Sequence, residues 1–312
     1  MFNAPGANAN AVKELVIAGM LLACRNICQA WDYARNVEGS PEQQSKAVED
    51  GKKKYVGYEL PGRTLGVVGL GAIGVYVANA AVALGMRVVG FDPTITVKSA
   101  WKMSAEVEEM PSVDELVKQS DFVTFHVPLL DSTRKLLNAK RIASMKDGAV
   151  VLNFARDGIV DDEAVLKALD SGKLGAYVCD FPSQNLKGHD RVITLPHLGA
   201  STAEAEENCA IMVADQIRDF LENGNIHNSV NFPEIKLARI GGVRLAVANE
   251  NRPDMVGQIS HVLGQAGVNI QHMRNESRGE LAYTLMDLDK AIDESALSDI
   301  KAIDGVLSAR QI

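Results

Sequence analysis

The sequence predicts a two-part α/β protein: a doubly wound parallel sheet covered by helices on both faces, followed by a smaller α+β module. Three observations carry this. From Arg63 to Pro196, short runs of consecutive apolar residues alternate with helical patterns, as strands buried on both faces require. The glycine-rich turn GLGAIG, Gly69 to Gly74, joins the first of these strands to the first helix. From residue 239 onward the pattern becomes strand–helix–strand–strand–helix–strand, the plan of a ferredoxin-like unit.

Taken in order, residues 9 to 33 carry apolar side chains at helical spacing and read as one long helix. Residues 35 to 57, with EGSPEQQ and DGKKK, read as an exposed polar connector. TLGVVGL is a strand, AIGVYVANAAVAL a helix, and RVVGFD a strand. SVDELVKQ is a helix, DFVTFHV a strand, RIASM a short helix and GAVVLNF a strand. DDEAVLKALDSG has acids in its first turn and a glycine after its last, as the helix dipole and the C-cap favour. LGAYVCD and RVITLP close the series as strands, and residues 202 to 224 form another helix. In the last module VRLAVAN, VNIQHMRNES, LAYTLMDLD and VLSARQI are strands, and MVGQISHVLGQAG and ESALSDIKAI are helices.

Of 312 residues, 46% are hydrophobic and 23% charged, ordinary for a soluble globular chain. The net charge of −8 argues against a general partner among nucleic acids or acidic membranes. No apolar run reaches the roughly 20 residues of a membrane span. The opening MFNAPGANAN lacks the regions of a signal peptide, so a cytoplasmic location is expected. Cys24, Cys28, Cys179 and Cys209 read as free thiols; the first two share a helix face but find no further ligands nearby in sequence, and no metal site is expected.

GLGAIG follows a strand, opens a helix, and is followed about 20 residues later by Asp92 at the end of the next strand, the dinucleotide fingerprint of a Rossmann-type sheet. Gly69 makes the tight turn, Gly71 lets a diphosphate approach the backbone, and Gly74 lets helix pack on strand. The helix N-terminus meets the negative charge. Asp92 accepts from a ribose hydroxyl and repels a 2′-phosphate. Pro93 and Thr94 follow it with no arginine, so NAD is expected rather than NADP. A second stretch, NFARDGIV, ends a buried strand and presents Arg156. A surface ion pair with Asp157 is one reading; the other is an anion-binding guanidinium at the carboxyl edge of the sheet, where such folds bind ligands.

GLGAIG…FDP, HVPLLDSTRKLL, NFARDGIVDDEAV and LPHLGASTAEA, in this order, resemble the D-isomer-specific 2-hydroxyacid dehydrogenases. The final module, with ENRPDMVGQISHVLGQAGVNI, resembles an ACT domain. The resemblance implies NAD-dependent oxidation of a small phosphorylated 2-hydroxy acid. Arg156 would bind the substrate, His197 would be the acid/base, and Asp180 would hold the nicotinamide carboxamide. Asn8, Ala72, Ile73, Phe154, Ala155 and Gly199 would join Gly69, Gly71, Gly74 and Asp92 at the NAD site, with His126 near the cofactor but not catalytic. Where the family places a glutamate beside its histidine, the matching position is Gln184, which can orient an imidazole but supplies no charge.

The resemblance further implies a remnant of a substrate lobe over 1–57, a NAD-binding domain over 58–201, a return helix and linker over 202–238, and an ACT domain over 239–312. Earlier parts of that lobe would precede FNAPGAN, and the 9–33 helix would expose an apolar face that they cover. Asn249, Asn251 and Asn269 would bind an effector, L-serine, and the chain would assemble as a homodimer or homotetramer. Two other readings stay open: a non-catalytic NAD-binding sensor or regulatory subunit, and a dehydrogenase for another hydroxy acid.

Overall fold

A computed structural model describes residues 1–240 and 242–312, which divide into two compact units: Asn8–Glu206, and Met1–Ala7 together with Glu207–Ile312.

The first unit opens with α1 (Ala9–Cys24), α2 (Ile27–Arg35) and α3 (Pro41–Gly51). Then come β1 (Thr64–Val68), α4 (Ala72–Ala83), β2 (Arg87–Phe91), α5 (Val97–Ala100), β3 (Val107–Glu109), α6 (Val113–Gln119) and β4 (Phe122–Phe125). It closes with α7 (Ala139–Ser144), β5 (Ala149–Asn153), α8 (Asp162–Asp170), β6 (Leu174–Cys179) and β7 (Val192–Thr194). The strands form one parallel sheet in the order β3-β2-β1-β4-β5-β6-β7. Alternate residues of each strand feed two cores. Leu65, Val67, Phe122 and Leu152 pack with Val16 and Met20 of α1 and Val75 and Ala78 of α4. Val89, Val123, Phe125 and Val151 pack with Leu116 of α6, Ile142 of α7 and Val165 of α8. That two-sided burial is why the strands read as unbroken apolar runs. The strand order reverses between β1 and β4, so a crevice opens at their carboxyl ends.

Three expectations are corrected. The 9–33 helix is two helices, broken at Asn26, which adopts φ +50°. Tyr58 donates its backbone N–H to the Cys24 carbonyl at 2.9 Å, and a β-carbon on Gly57 would overlap that carbonyl, so a crossing segment takes over the end of α1. The apolar face of the 9–33 stretch is bare only in part: Val12, Val16, Met20 and Cys24 of α1 are buried on the sheet, whereas Leu21 of α1 and Ile27 and Trp31 of α2 are exposed. The polar connector holds α3, started by a capping box in which Ser40 and Gln43 satisfy each other's backbone amides with Pro41 in the first turn. The S-P-E-Q signal for it was present in the sequence. The short edge strand β3 and the single turn α5 had no periodic signal.

The second unit contains most of α9 (Ala203–Asn223), then β8 (Val243–Glu250), α10 (Met255–Gln265), β9 (Ile270–Arg278), β10 (Leu281–Leu288), α11 (Glu294–Ala302) and β11 (Val306–Gln311). Its antiparallel sheet has the order β11-β8-β10-β9. Ile259 and Leu263 of α10 and Ile300 of α11 cover one face, over Leu245, Val247 and Met286. Phe2, Phe220 and Phe232 cover the other, over Ala246, Ala248, Tyr283 and Leu285. Inside lies a fully buried ion pair. Arg244 donates from Nε and Nη2 to the two oxygens of Asp287 at 2.6 and 3.0 Å. Its Nη1 donates to the carbonyls of Asn223 and Leu237, both at 2.9 Å, so one guanidinium ties the end of α9 and the following linker to the sheet.

Candidate active site

Two cavities line the carboxyl edge of the parallel sheet. The first, of about 560 Å³, is bounded by the glycine turn, by Asp92, Thr96 and Ser99, and by the loop after β4. Gly69 adopts φ +92°, and a β-carbon there would lie 2.6 Å from the His126 carbonyl. Gly71 is extended, caps α4 without a side chain, and has nothing within 4 Å of a would-be β-carbon. A β-carbon on Gly74 would overlap the Gly69 carbonyl. The first-turn amides of α4, including those of Ala72 and Ile73, therefore meet an open, uncapped space suited to a diphosphate. Asp92 directly follows β2; its carboxylate accepts from the N–H of Leu70 at 2.8 Å and of Thr94 at 2.9 Å. The negative charge is thus pinned beside the glycine turn. These features fit a dinucleotide.

The second cavity, of about 260 Å³, gathers Asn8, Ile73, Phe154, Ala155, Arg156, Asp180, His197 and Gly199, together with Val12, His126, Val127, Pro128 and Ala200. Arg156 is held by an Asx-type turn: Asn153 Oδ1 accepts from Ala155 N at 3.2 Å and its Nδ2 donates to the Arg156 carbonyl at 3.0 Å. The Arg156 side chain donates to the Ala155 carbonyl at 2.7 Å and forms no ion pair among the described residues, so the surface pairing with Asp157 is absent. His197 is exposed and lies at φ +58°, an uncommon conformation for a residue with a β-carbon. Asp180, 1% exposed, holds that turn. Its carbonyl accepts from His197 N at 3.1 Å, and its carboxylate accepts from Leu198 N at 2.8 Å and Gly199 N at 2.7 Å. The Asp180 carboxylate thus shapes the histidine turn as well as lining the cavity, a role not legible in sequence.

Gln184 does not reach His197. It sits exposed in a 3-10 turn, Gln184–Leu186, with no hydrogen bond to the imidazole, which instead packs on the Phe181 ring at 5.0 Å between centroids. The intervening turn is directed elsewhere by Ser183, which donates to Asp162 at 2.9 Å. Phe181, Val127, Pro128, Thr96 and Ser99 line these cavities or touch His197 and were missed; none belongs to a residue type that signals chemistry. In the second unit, Asn249 is buried, donating to the Glu250 carbonyl at 2.7 Å while its Oδ1 has no partner. Asn251 borders a separate cavity with Arg252 and Glu280, which neither Asn249 nor Asn269 lines. No grouping of three or more possible metal ligands occurs among the described residues. No helix among them is long and apolar enough to cross a membrane.

Comparison with known proteins agrees with this geometry. The family model for the D-isomer specific 2-hydroxyacid dehydrogenase, NAD binding domain, matches residues 17–199. The chain is 34% identical over 99% of its length to a D-3-phosphoglycerate dehydrogenase of Haemophilus influenzae, covering 75% of that protein. It is 37% identical over 92% of its length to a D-3-phosphoglycerate dehydrogenase of Methanocaldococcus jannaschii, covering 53% of it. A solved D-lactate dehydrogenase from Aquifex aeolicus, complexed with NAD and lactic acid, superposes with a TM-score of 0.56 at 26% identity, covering 70% of this chain and 68% of that one. With a matching model over most of the chain and a glycine turn, acidic strand end and parallel sheet arranged for a dinucleotide, this chain belongs to the D-isomer specific 2-hydroxyacid dehydrogenases, NAD-dependent oxidoreductases.

Proposed function

We propose that the chain oxidises D-3-phosphoglycerate to 3-phosphohydroxypyruvate, the first step toward L-serine, in the cytoplasm. The observation that carries this reading is one cavity holding both an unpaired guanidinium, Arg156, and an exposed imidazole, His197. NAD, when bound, supplies the hydride acceptor, held by Gly69, Gly71, Ala72, Ile73 and Asp92 on one side and by Asn8, Phe154, Ala155, Asp180 and Gly199 on the other. Arg156 grips the substrate carboxylate and its neighbouring oxygen by parallel hydrogen bonds. His197 takes the hydroxyl proton during oxidation and returns it during reduction. Asp180 orients that histidine through the Leu198 and Gly199 amides. The names of the relatives support phosphoglycerate as the substrate.

The second unit, in this reading, contains an ACT domain over 239–312 that binds L-serine at the cavity Asn251 borders and joins chains into a dimer or tetramer. Its βαββαβ order supports that assignment. A second reading, an NAD-binding regulatory protein without turnover, is favoured by one observation: no carboxylate pairs with His197 among the described residues. Steady-state oxidation of D-3-phosphoglycerate, compared with D-lactate, separates the readings. Turnover that falls at least about a hundredfold in His197→Gln and rises sharply in KM in Arg156→Met supports the enzyme. NADH binding with no turnover on either acid supports the regulatory protein.

A further inference from the structure

The imidazole of His197 has no hydrogen bond and no ion pair among the described residues. A histidine that moves a proton needs its ring held in place, and a hydrogen bond to the second ring nitrogen commonly does this. Here the aromatic partner is Phe181, at 5.0 Å between ring centroids and 52° between planes. That tilted arrangement lies in the range that aromatic pairs favour.

The backbone sets this pair. β6 and β7 are neighbouring parallel strands, with Cys179 beside Thr194. Their ladder runs on past both strands. Leu195 N donates to the Cys179 carbonyl at 2.8 Å, and His197 N to the Asp180 carbonyl at 3.1 Å. Phe181 is the next residue along one branch and His197 ends the other. Phe181 is itself tied down. Its carbonyl accepts from the Cys179 thiol at 3.6 Å, and Pro182 after it disfavours a helical backbone. Ser183 then donates to Asp162 at 2.9 Å, which anchors the chain beyond.

Phe181 is half-buried and does not line the cavity that His197 lines with Arg156. Its ring supports the imidazole without standing where the substrate would. The work is divided. Asp180 holds the His197 backbone at φ +58° and so aims its β-carbon, while the side-chain torsions are left for packing to settle.

We propose that Phe181 is a positioning residue for His197: its ring fixes the imidazole by packing, in a site where no hydrogen bond does so. The proposal rests on the reading of His197 as the acid/base. An aromatic ring suits the task, because it attracts a cation and stays in contact when the imidazole takes the hydroxyl proton. It also leaves both ring nitrogens free, one for the substrate and the other for water.

The test is steady-state oxidation of D-3-phosphoglycerate, with NADH binding followed by fluorescence titration, in Phe181→Leu and Phe181→Tyr. Leucine keeps apolar bulk without a ring, and tyrosine keeps the ring. Phe181→Leu is expected to lower kcat about tenfold, with the substrate KM and the NADH affinity within about twofold of the original. Phe181→Tyr should keep kcat within about threefold of the original. Full kcat in Phe181→Leu, an equal loss in Phe181→Tyr, or a loss confined to KM or NADH affinity would each overturn the role. Proton NMR gives a check that does not need turnover. The His197 ring protons, identified by their loss in His197→Gln, should feel the ring current of Phe181 and move in Phe181→Leu. Unmoved signals would show no contact and overturn the proposal. If the unsubstituted chain has no turnover, or His197→Gln keeps it in full, the acid/base reading itself fails. That result is distinct, because NMR reads the ring contact with or without turnover.

Discussion

The carbonyl of Gly69 occupies the place where a β-carbon on Gly74 would sit, whereas a β-carbon on Gly71 would meet nothing. Two glycines of one turn are therefore required for different reasons. One makes room for the protein's own backbone and the other for a ligand. Gly74→Ala should lower stability by about 1–3 kcal/mol, the usual range for overpacking, seen as a lower Tm without any cofactor present. Gly71→Ala should leave the Tm of the cofactor-free protein unchanged and weaken NADH binding, because its backbone is compatible with alanine. Equal Tm losses in both would show that Gly71 is structural.

In the proposed reading, Asp92 sets the choice of cofactor. Its carboxylate is pinned by Leu70 and Thr94, and the residues directly after it, Pro93 and Thr94, carry no positive charge. NADH should bind more tightly than NADPH by on the order of a hundredfold, since placing like charges together costs several kcal/mol. Asp92→Ser should collapse that ratio. Parallel titrations with the two cofactors measure it, and equal affinities in the original protein would remove Asp92 from the ribose site.

His126 makes the fold sensitive to acid. Its folded-state pKa, about 3, lies below the unfolded value of about 6.5. Between those limits the unfolded chain binds a proton that the folded protein does not, so stability rises with pH across that window and falls as pH drops through it. Each unit of acidification there removes up to about 1.4 kcal/mol. Urea unfolding between pH 7 and pH 4 should give a shallower slope for His126→Asn than for the original. Superimposable slopes would mean that the imidazole is solvated in the folded state.

Arg244 and Asp287 depend on each other. Arg244→Met alone should cost about 3–5 kcal/mol, because it strands a buried carboxylate. The double change Arg244→Met, Asp287→Leu should recover much of that loss, since replacing a buried ion pair by apolar residues is often close to neutral. Thermal unfolding of the single and double variants reads this directly. The part that does not recover reports the lost ties to the Asn223 and Leu237 carbonyls.

The sequence by itself determined the parallel sheet, the βαββαβ module, the glycine turn and the acid at the end of β2. These are local: burial on both faces writes continuous apolar strands, and a turn at positive φ or against a backbone carbonyl admits only glycine. It also brought forward Arg156 and His197, because their residue types and motifs carry chemistry. Tertiary structure decided the rest. The long first helix breaks because a distant segment, Gly57–Tyr58, crosses it at Cys24 and takes its last carbonyl. Gln184 makes no hydrogen bond to His197, and its neighbour Ser183 bonds instead to Asp162, a partner 21 positions away. Asp180 shapes the His197 turn, and His126 keeps an unmatched nitrogen between two cavities, through contacts that close only when separate strands are brought side by side. Periodicity records which face of an element is buried, but not which distant atom completes a hydrogen bond, and that second kind of information determines how this site is arranged.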